Sequence, residues 1–202
     1  LYKSLSIGMS SATISTFFGL FIAIAFVRFS AFRGRLTLSL VASAPLVMPE
    51  AVTGLSMLLL FIAMETTFGW PSGRGVDTIM IAHATFGMCF AAVVIQTRLR
   101  DMDRYLEEAA RDLGERQPFV FMSITLPLIF PSIIAAWLLS FTLSFDDLVI
   151  ASFVSGPGSS TLPIVIFSKI RLGVSPEINA IATLMILTIS GMVLAGSMLI
   201  LK

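Results

Sequence analysis

Three acidic side chains lie within otherwise uncharged parts of the sequence. Asp146 and Asp147 are the only charged residues in segment 117–168, and Glu50 is the only one in segment 36–64. Carboxylates inside apolar segments are costly to desolvate and usually face a cavity, so each is a candidate functional group. They suit a passing cation, because opposite unit charges about 4 Å apart attract by about 4 kcal/mol at an effective dielectric constant near 20.

The segment before the aspartate pair carries further polar groups at helical spacing. If one helix covers residues 127–154, a single face holds Trp137, Ser140, Ser144 and Asp147. We expect this face to line a wet pathway, where Trp137 adds a cation–π contact of about 0.5–2 kcal/mol. In the alternative interpretation, the aspartates simply end the helix at the outer interface. Glu50 is equally consistent with a pathway role and with a structural one.

The composition argues against an enzyme. One His and one Cys nearly exclude nucleophilic triads and His/Cys metal sites, so neither a metal nor a cofactor is expected. No glycine-rich phosphate loop ending in Lys-Ser or Lys-Thr occurs, so any ATP should bind a separate chain. Neighbouring aspartates point about 100° apart on a helix, which disfavours a catalytic dyad. His83, within an apolar segment, predicts an interhelical hydrogen bond or, alternatively, a pathway role.

A highly charged loop separates two apolar segments. Residues 98–117 hold eleven of the 25 charged side chains. Leu106, Ala109, Ala110 and Leu113 recur at helical spacing within it, which predicts a short amphipathic helix. A generic loop of this kind would be a solvated connector at the membrane interface.

The order of residues in this loop is more specific than its composition. Glu108-Ala109-Ala110, then Gly114, then 124–127 (Ile-Thr-Leu-Pro) resembles the EAA loop of permease subunits in binding-protein-dependent ABC importers. Gly114 permits a sharp turn between two short helices, and Pro127 should open the next span. The resemblance implies a coupling helix that seats in a groove of a cytoplasmic ATPase. The implied coupling residues are Glu108, Ala109, Ala110, Gly114, Leu126 and Pro127.

Blocks along nearly the whole chain resemble, more narrowly, the second permease subunit of spermidine/putrescine importers. They cover residues 45–50, 53–55, 103–104, 144–153, 155–158, 161–163 and 176–180. The resemblance implies half of a heterodimeric pore in the bacterial inner membrane, working by alternating access with a related permease, two ATPase copies and an extracytoplasmic polyamine-binding protein. It leaves open which polyamine is carried and whether the permease partner is identical or related. An importer for another cation or an aminophosphonate is the alternative; the loop argues against a secondary transporter.

The elements that must position these residues are membrane-spanning helices. The chain has 202 residues, of which 56% are hydrophobic and 12% charged, whereas soluble domains average about 25% charged. Spanning helices need about 20 mainly apolar residues, and five segments qualify: 4–27, 36–64, 78–97, 127–154 and 178–201. The predicted fold is an all-α transmembrane bundle of the type I ABC importer permease fold, one domain over residues 1–202 with its coupling loop at 98–126.

Loop charges predict the orientation. Arginines at 28, 33 and 35 and five more between 98 and 116 mark cytoplasmic loops, and loops 66–76 and 155–160 should be outside. The chain then starts outside. Because the resembling family has six spans and a cytoplasmic N-terminus, we expect a fragment that has lost its first span.

Two irregularities are expected within the spans. Pro45 and Pro49 should bend or break the second span. Turn residues at 155–160 and Pro163 end the fourth span at Val154, which leaves 162–171 as a segment on the outer side. A sixth crossing in this region is the alternative.

Overall fold

Helices dominate the computed structural model, which describes residues 1–29, 31–172 and 176–200. No strand occurs in those ranges. The α-helices are α1 (Tyr2–Arg28), α2 (Arg35–Val47), α3 (Glu50–Phe68), α4 (Val76–Asp101), α5 (Tyr105–Asp112), α6 (Gln117–Val120), α7 (Leu126–Asp146), α8 (Val149–Val154), α9 (Leu162–Leu172) and α10 (Pro176–Ile200). A π-helical turn, Phe121–Thr125, joins α6 to α7.

Four helical segments are long and apolar enough to cross a membrane. They are Tyr2–Arg28, Glu50–Phe68, Val76–Asp101 and Gln117–Asp146. Shorter apolar helices cover Arg35–Val47 and Ala182–Met198. The all-helical, multi-spanning prediction is therefore confirmed. The last residue of the predicted fifth span, at 201, lies outside the described residues.

The predicted break in the second span is present. α2 ends at Val47, Met48 has an extended backbone (φ −77°, ψ 141°), and α3 begins at Glu50. Pro49 disfavours a helical conformation at the residue before it, and it has no backbone N–H to continue the helical hydrogen bonds. The break places Glu50 in the first turn of a new helix.

The prediction of one continuous fourth helix over residues 127–154 is wrong. α7 ends at Asp146, Asp147 leaves the helical conformation (ψ 127°), and α8 starts at Val149. Asp147 accepts hydrogen bonds from the backbone N–H groups of Ile150 (3.2 Å) and Ala151 (2.7 Å). Its side chain thus caps the N-terminus of a second helix instead of extending along the first.

The alternative of a sixth crossing near residues 148–168 is also wrong. This part of the described chain holds only α8, with six residues, a turn, and α9, with eleven. Neither approaches the about 20 residues that a spanning helix needs. The segment 162–171, predicted to be separate from the fourth span, forms the short helix α9.

Small residues allow α1, α4 and α7 to form the central packing unit. A Cβ atom added to Gly19 of α1 would lie 2.7 Å from the Cβ of Ala91. One added to Gly87 of α4 would lie 2.6 Å from Oγ of Ser15. Only glycine permits these approaches, which are typical of helix pairs in membranes.

The two ends of the bundle are fixed by different contacts. At one end, Arg104 donates to the carbonyl of Val27 at 3.1 Å, which brings the C-terminus of α1 to the charged loop. At the other, the N–H of Leu162 donates to Oγ of Ser4 at 2.7 Å. The two arginine-rich loops therefore lie at the same end, as the orientation prediction requires, while the side of the membrane stays a prediction.

Candidate functional site

The charged loop contains the predicted amphipathic helix as α5. Its apolar residues face away from the bundle: Leu106 is 48% exposed, and Leu113, just after the helix, is 87% exposed. Glu108 and Ala109 are also exposed, whereas Ala110 is half-buried. The outer surface of the loop thus combines exposed apolar and charged side chains, and nothing in the described part of the chain covers it.

Gly114 forms the sharp turn that the sequence predicts. Its φ is +89°, a left-handed conformation that favours glycine. The N–H of Glu115 returns to the carbonyl of Ala110 at 3.2 Å and closes the end of α5. An added Cβ would meet nothing within 4 Å, so the backbone conformation, and not a lack of space, requires glycine.

Sequence reasoning missed a partly buried contact that attaches α5 to the bundle. Glu107 accepts hydrogen bonds from the Arg28 guanidinium at the end of α1 and from the Thr125 hydroxyl in the π-helical turn. Thr125 is 1% exposed. We refer to Arg28, Glu107 and Thr125 as the α5 anchor. Two features of the sequence could have indicated this contact. Arg28 ends an apolar segment, and a second acid, Glu107, directly precedes Glu108.

The start of α7 explains the π-helical turn. Leu126 donates its N–H to the carbonyl of Phe121, five residues earlier. Pro127 has no N–H, and its ring crowds the carbonyl four residues earlier, so the preceding turn widens. α7 begins at Leu126 but continues the helical segment that starts at Gln117, so the prediction that Pro127 opens the span is wrong.

Glu50 and Asp146 lie at the two helix breaks. Both side chains are exposed, and Glu50, Asp147 and His83 all lie close enough to Asp146 to interact electrostatically. The breaks at α2–α3 and α7–α8 meet here, because Gly54 of α3 packs on α8. A Cβ on Gly54 would lie 3.2 Å from the Cα of Ile150.

Asp147 has a different environment from Asp146. Its side chain is only 8% exposed, and one carboxylate oxygen lies 3.0 Å from Nε2 of His83. Nδ1 of His83 lies 2.7 Å from Oγ of Ser144. The prediction that His83 makes an interhelical hydrogen bond is confirmed. We refer to Ser144, His83 and Asp147 as the capping network, because Asp147 caps α8.

The predicted polar face of the fourth span packs inward. Ser140 is buried and donates to the carbonyl of Gly87 at 3.4 Å, and Ser144 is buried in the capping network. Trp137 is half-buried, with its N–H 3.1 Å from Oγ1 of Thr13. The prediction that Asp147 continues this helical face is wrong, because α7 has already ended. Within this chain the face meets α1 and α4, so its role in a pathway stays a prediction.

No metal-ligand cluster is found in residues 1–29, 31–172 and 176–200. Cys89 is a buried free thiol.

Known proteins resemble this chain over most of its length. A family model described as binding-protein-dependent transport system inner membrane component matches residues 15–201. The chain is 55% identical, over 183 residues, to the putrescine transport system permease protein PotI of Escherichia coli strain K12, a match covering 91% of this chain and 65% of that one. The spermidine/putrescine transport system permease protein PotC of the same strain is 37% identical over 196 residues, covering 97% and 72%.

Solved structures show the same fold. A chain of the MetNI methionine ABC transporter superposes with a TM-score of 0.79 at 14% identity, covering 98% of this chain and 92% of that one. A chain of an amino acid ABC transporter superposes with a TM-score of 0.69 at 20% identity, covering 99% of this chain and 90% of that one. At 65%, the chain spans slightly less than two thirds of the PotI sequence.

Proposed function

Because this chain belongs to the family of binding-protein-dependent transport system inner membrane components, we propose that it is a pore-forming permease subunit of an ATP-driven polyamine importer. The 55% identity to a putrescine permease over 91% of the chain carries the proposal. The proposed partners are a second permease subunit, a cytoplasmic ATPase dimer and an extracytoplasmic polyamine-binding protein. ATP binds the ATPase in this scheme, and the permease domain supplies the pathway.

The exposed outer surface of the charged loop is the proposed ATPase contact. Glu108, Ala109 and Ala110 present it on α5, and Gly114 sets the turn that follows. Leu126 and Pro127 connect the loop to α7. Apolar side chains exposed on a helix that carries small alanines suit close packing into a groove on a partner. The α5 anchor supports this role, since it ties α5 to both α1 and the start of α7.

Reversing the charges of the α5 anchor tests whether α5 moves with the bundle. We expect Glu107→Arg to lower ATP-dependent uptake by about tenfold, since it places two like charges at a partly buried contact. Arg28→Glu should do the same. The double exchange should recover at least about half of the parent rate, because neighbouring sites are not additive.

The matched control is Asp77→Arg, which reverses the charge of an exposed acid in the first turn of α4, at the opposite end of the bundle. Uptake should be normalised to the amount of subunit in the membrane. Two results would show that the anchor does not transmit motion. One is uptake at the parent rate in both single variants, and the other is uptake by the double variant that is no faster than by either single variant.

The proposed substrate pathway runs past two helix breaks, the α2–α3 break with Glu50 and the α7–α8 break with Asp146. Glu50 and Asp146 are both exposed and close enough to interact electrostatically, and a primary ammonium about 4 Å from one carboxylate gains about 4 kcal/mol at an effective dielectric constant near 20. That attraction holds a di-cation while still allowing it to leave. Asp147, Ser144, Ser140 and Trp137 border this pathway from within the bundle.

Uptake by the complete transporter tests the substrate class. The permease pair, ATPase and matching binding protein are reconstituted in proteoliposomes with ATP inside or outside as the orientation requires. ATP-dependent accumulation of radiolabelled putrescine, competed by spermidine, supports the proposal. Transport only of another cation or of an aminophosphonate would favour the alternative importer, and uptake driven by an ion gradient without ATP would contradict both.

A further inference from the structure

The two neighbouring aspartates differ in how many of their oxygen lone pairs are already used. Asp147 accepts two backbone N–H groups at the start of α8 and lies 3.0 Å from Nε2 of His83. These contacts are satisfied by a neutral imidazole with its proton on Nε2, whose Nδ1 then accepts the hydroxyl proton of Ser144 at 2.7 Å. Asp146, by contrast, is exposed at the end of α7.

We infer that His83 is a positioning residue that makes Asp147 the fixed cap of α8 and leaves Asp146 as the carboxylate of the pair that meets the cation. The inference rests on the proposed function and deepens it, because it assigns different roles to two adjacent acids. It also gives the single histidine of the chain a role in the pathway that acts through Asp147.

The surroundings of α8 support this assignment. α4 holds α8 at both ends: His83 acts through Asp147 at the N-terminus, and Oγ1 of Thr78 donates to the carbonyl of Val154 at 2.7 Å at the C-terminus. Ile150, Ala151 and Val154 are each at most 1% exposed.

The far side of α8 packs on α3 one turn after Glu50. There Gly54 leaves room for Ile150 and Phe153, since a Cβ on Gly54 would lie 2.7 Å from the Phe153 ring. A six-residue helix has little stability of its own. Its position, and with it the shape of the acidic site, therefore depends on these contacts.

Two substitutions of His83 separate its two hydrogen bonds. In His83→Gln the amide nitrogen can stand in for Nε2 and donate to Asp147, whereas in His83→Asn the shorter side chain can stand in only for Nδ1 and contact Ser144. We expect His83→Asn to lower the maximal putrescine uptake rate by about tenfold with KM within about twofold of the parent. For His83→Gln, the maximal uptake rate and KM should each stay within about threefold of the parent values.

Asp146→Asn provides the contrasting result in the same complete transporter. It should raise KM for putrescine by about tenfold and change the maximal rate by less than about threefold, because it removes an exposed charge that attracts the bound cation and does not cap α8. The maximal rate of the His83→Asn/Asp147→Asn double variant should lie within about twofold of either single variant. The His83→Asn/Asp146→Asn double variant should instead show both the lower maximal rate and the higher KM.

Hydrogen exchange of the purified complex gives a readout that needs no substrate. Amides of residues 149–154 should exchange about tenfold faster in His83→Asn than in the parent, and at the parent rate in His83→Gln. Unchanged exchange in His83→Asn would overturn the inference, as would a rise of KM in His83→Asn or an unchanged KM in Asp146→Asn. The proposed function fails separately, if the parent complex shows no ATP-dependent polyamine uptake.

Discussion

We expect the replacement of Gly114 by tryptophan to abolish transport, lowering ATP-dependent uptake by at least about a hundredfold. Gly114 has a φ of +89°, and forcing a residue with a Cβ into this region costs roughly 1–2 kcal/mol. The turn therefore shifts, and an indole is added where α5 is proposed to enter the ATPase groove. ATP hydrolysis should no longer respond to the loaded binding protein, although the subunit remains in the membrane. The measurements are uptake and binding-protein-stimulated ATPase activity of the reconstituted complex.

Two controls separate the contact from general misfolding. Gly34, between α1 and α2, also has a φ of +89° and open space around its Cα, yet it lies outside the proposed ATPase contact. Gly34→Trp should retain transport. Gly114→Asn should retain most of it, since asparagine tolerates the left-handed conformation. Coupled transport at the parent rate in Gly114→Trp would contradict the coupling proposal.

Removing both exposed pathway charges has the second large effect. We expect Glu50→Gln combined with Asp146→Asn to lower kcat/KM for putrescine by about a hundredfold, about tenfold for each charge, because solvent screens part of the attraction at an exposed carboxylate. The amides retain the size of the carboxyl groups and remove an electrostatic repulsion between the two helix breaks. The fold should therefore be retained while the di-cation loses its counter-charges. Initial uptake rates over a range of putrescine concentrations measure the effect.

Asp77→Asn is the matched control for this pair. Asp77 is an exposed acid in the first turn of α4, at the end of the bundle opposite the charged loop, and its neutralisation should leave uptake unchanged. The double variant should affect putrescine more than any neutral solute that the pore admits. Parent-like kcat/KM in the double variant would remove the acids from the pathway.

The fold was largely predictable because its signals are local. Apolar length defines a spanning helix without reference to distant residues, and Pro49 breaks the second span through its own missing N–H and its effect on Met48. Gly114 and Pro127 likewise act on the backbone next to them. The charged loop could be predicted for the same reason, since its motif lies within one continuous segment.

The details of the site depend on contacts that spacing along the chain does not reveal. Asp147 interrupts an apolar run that hydropathy treats as one helix, and its capping role is visible only once the backbone beyond it has turned. Its partner His83 is 64 residues away. Glu107 and Glu108 are neighbours with the same charge, and only the position of Arg28, 79 residues earlier, shows which of them points inward.

Labelling of a single cysteine tests the proposed ATPase contact most directly. In a Cys89→Ala background, Glu115→Cys places a thiol in the exposed segment just after the Gly114 turn. An impermeant maleimide should label it in inside-out vesicles stripped of the ATPase, and rebinding of the ATPase should protect it. Labelling of this cysteine from the outside of intact cells would place the loop on the wrong side of the membrane and contradict the proposed coupling.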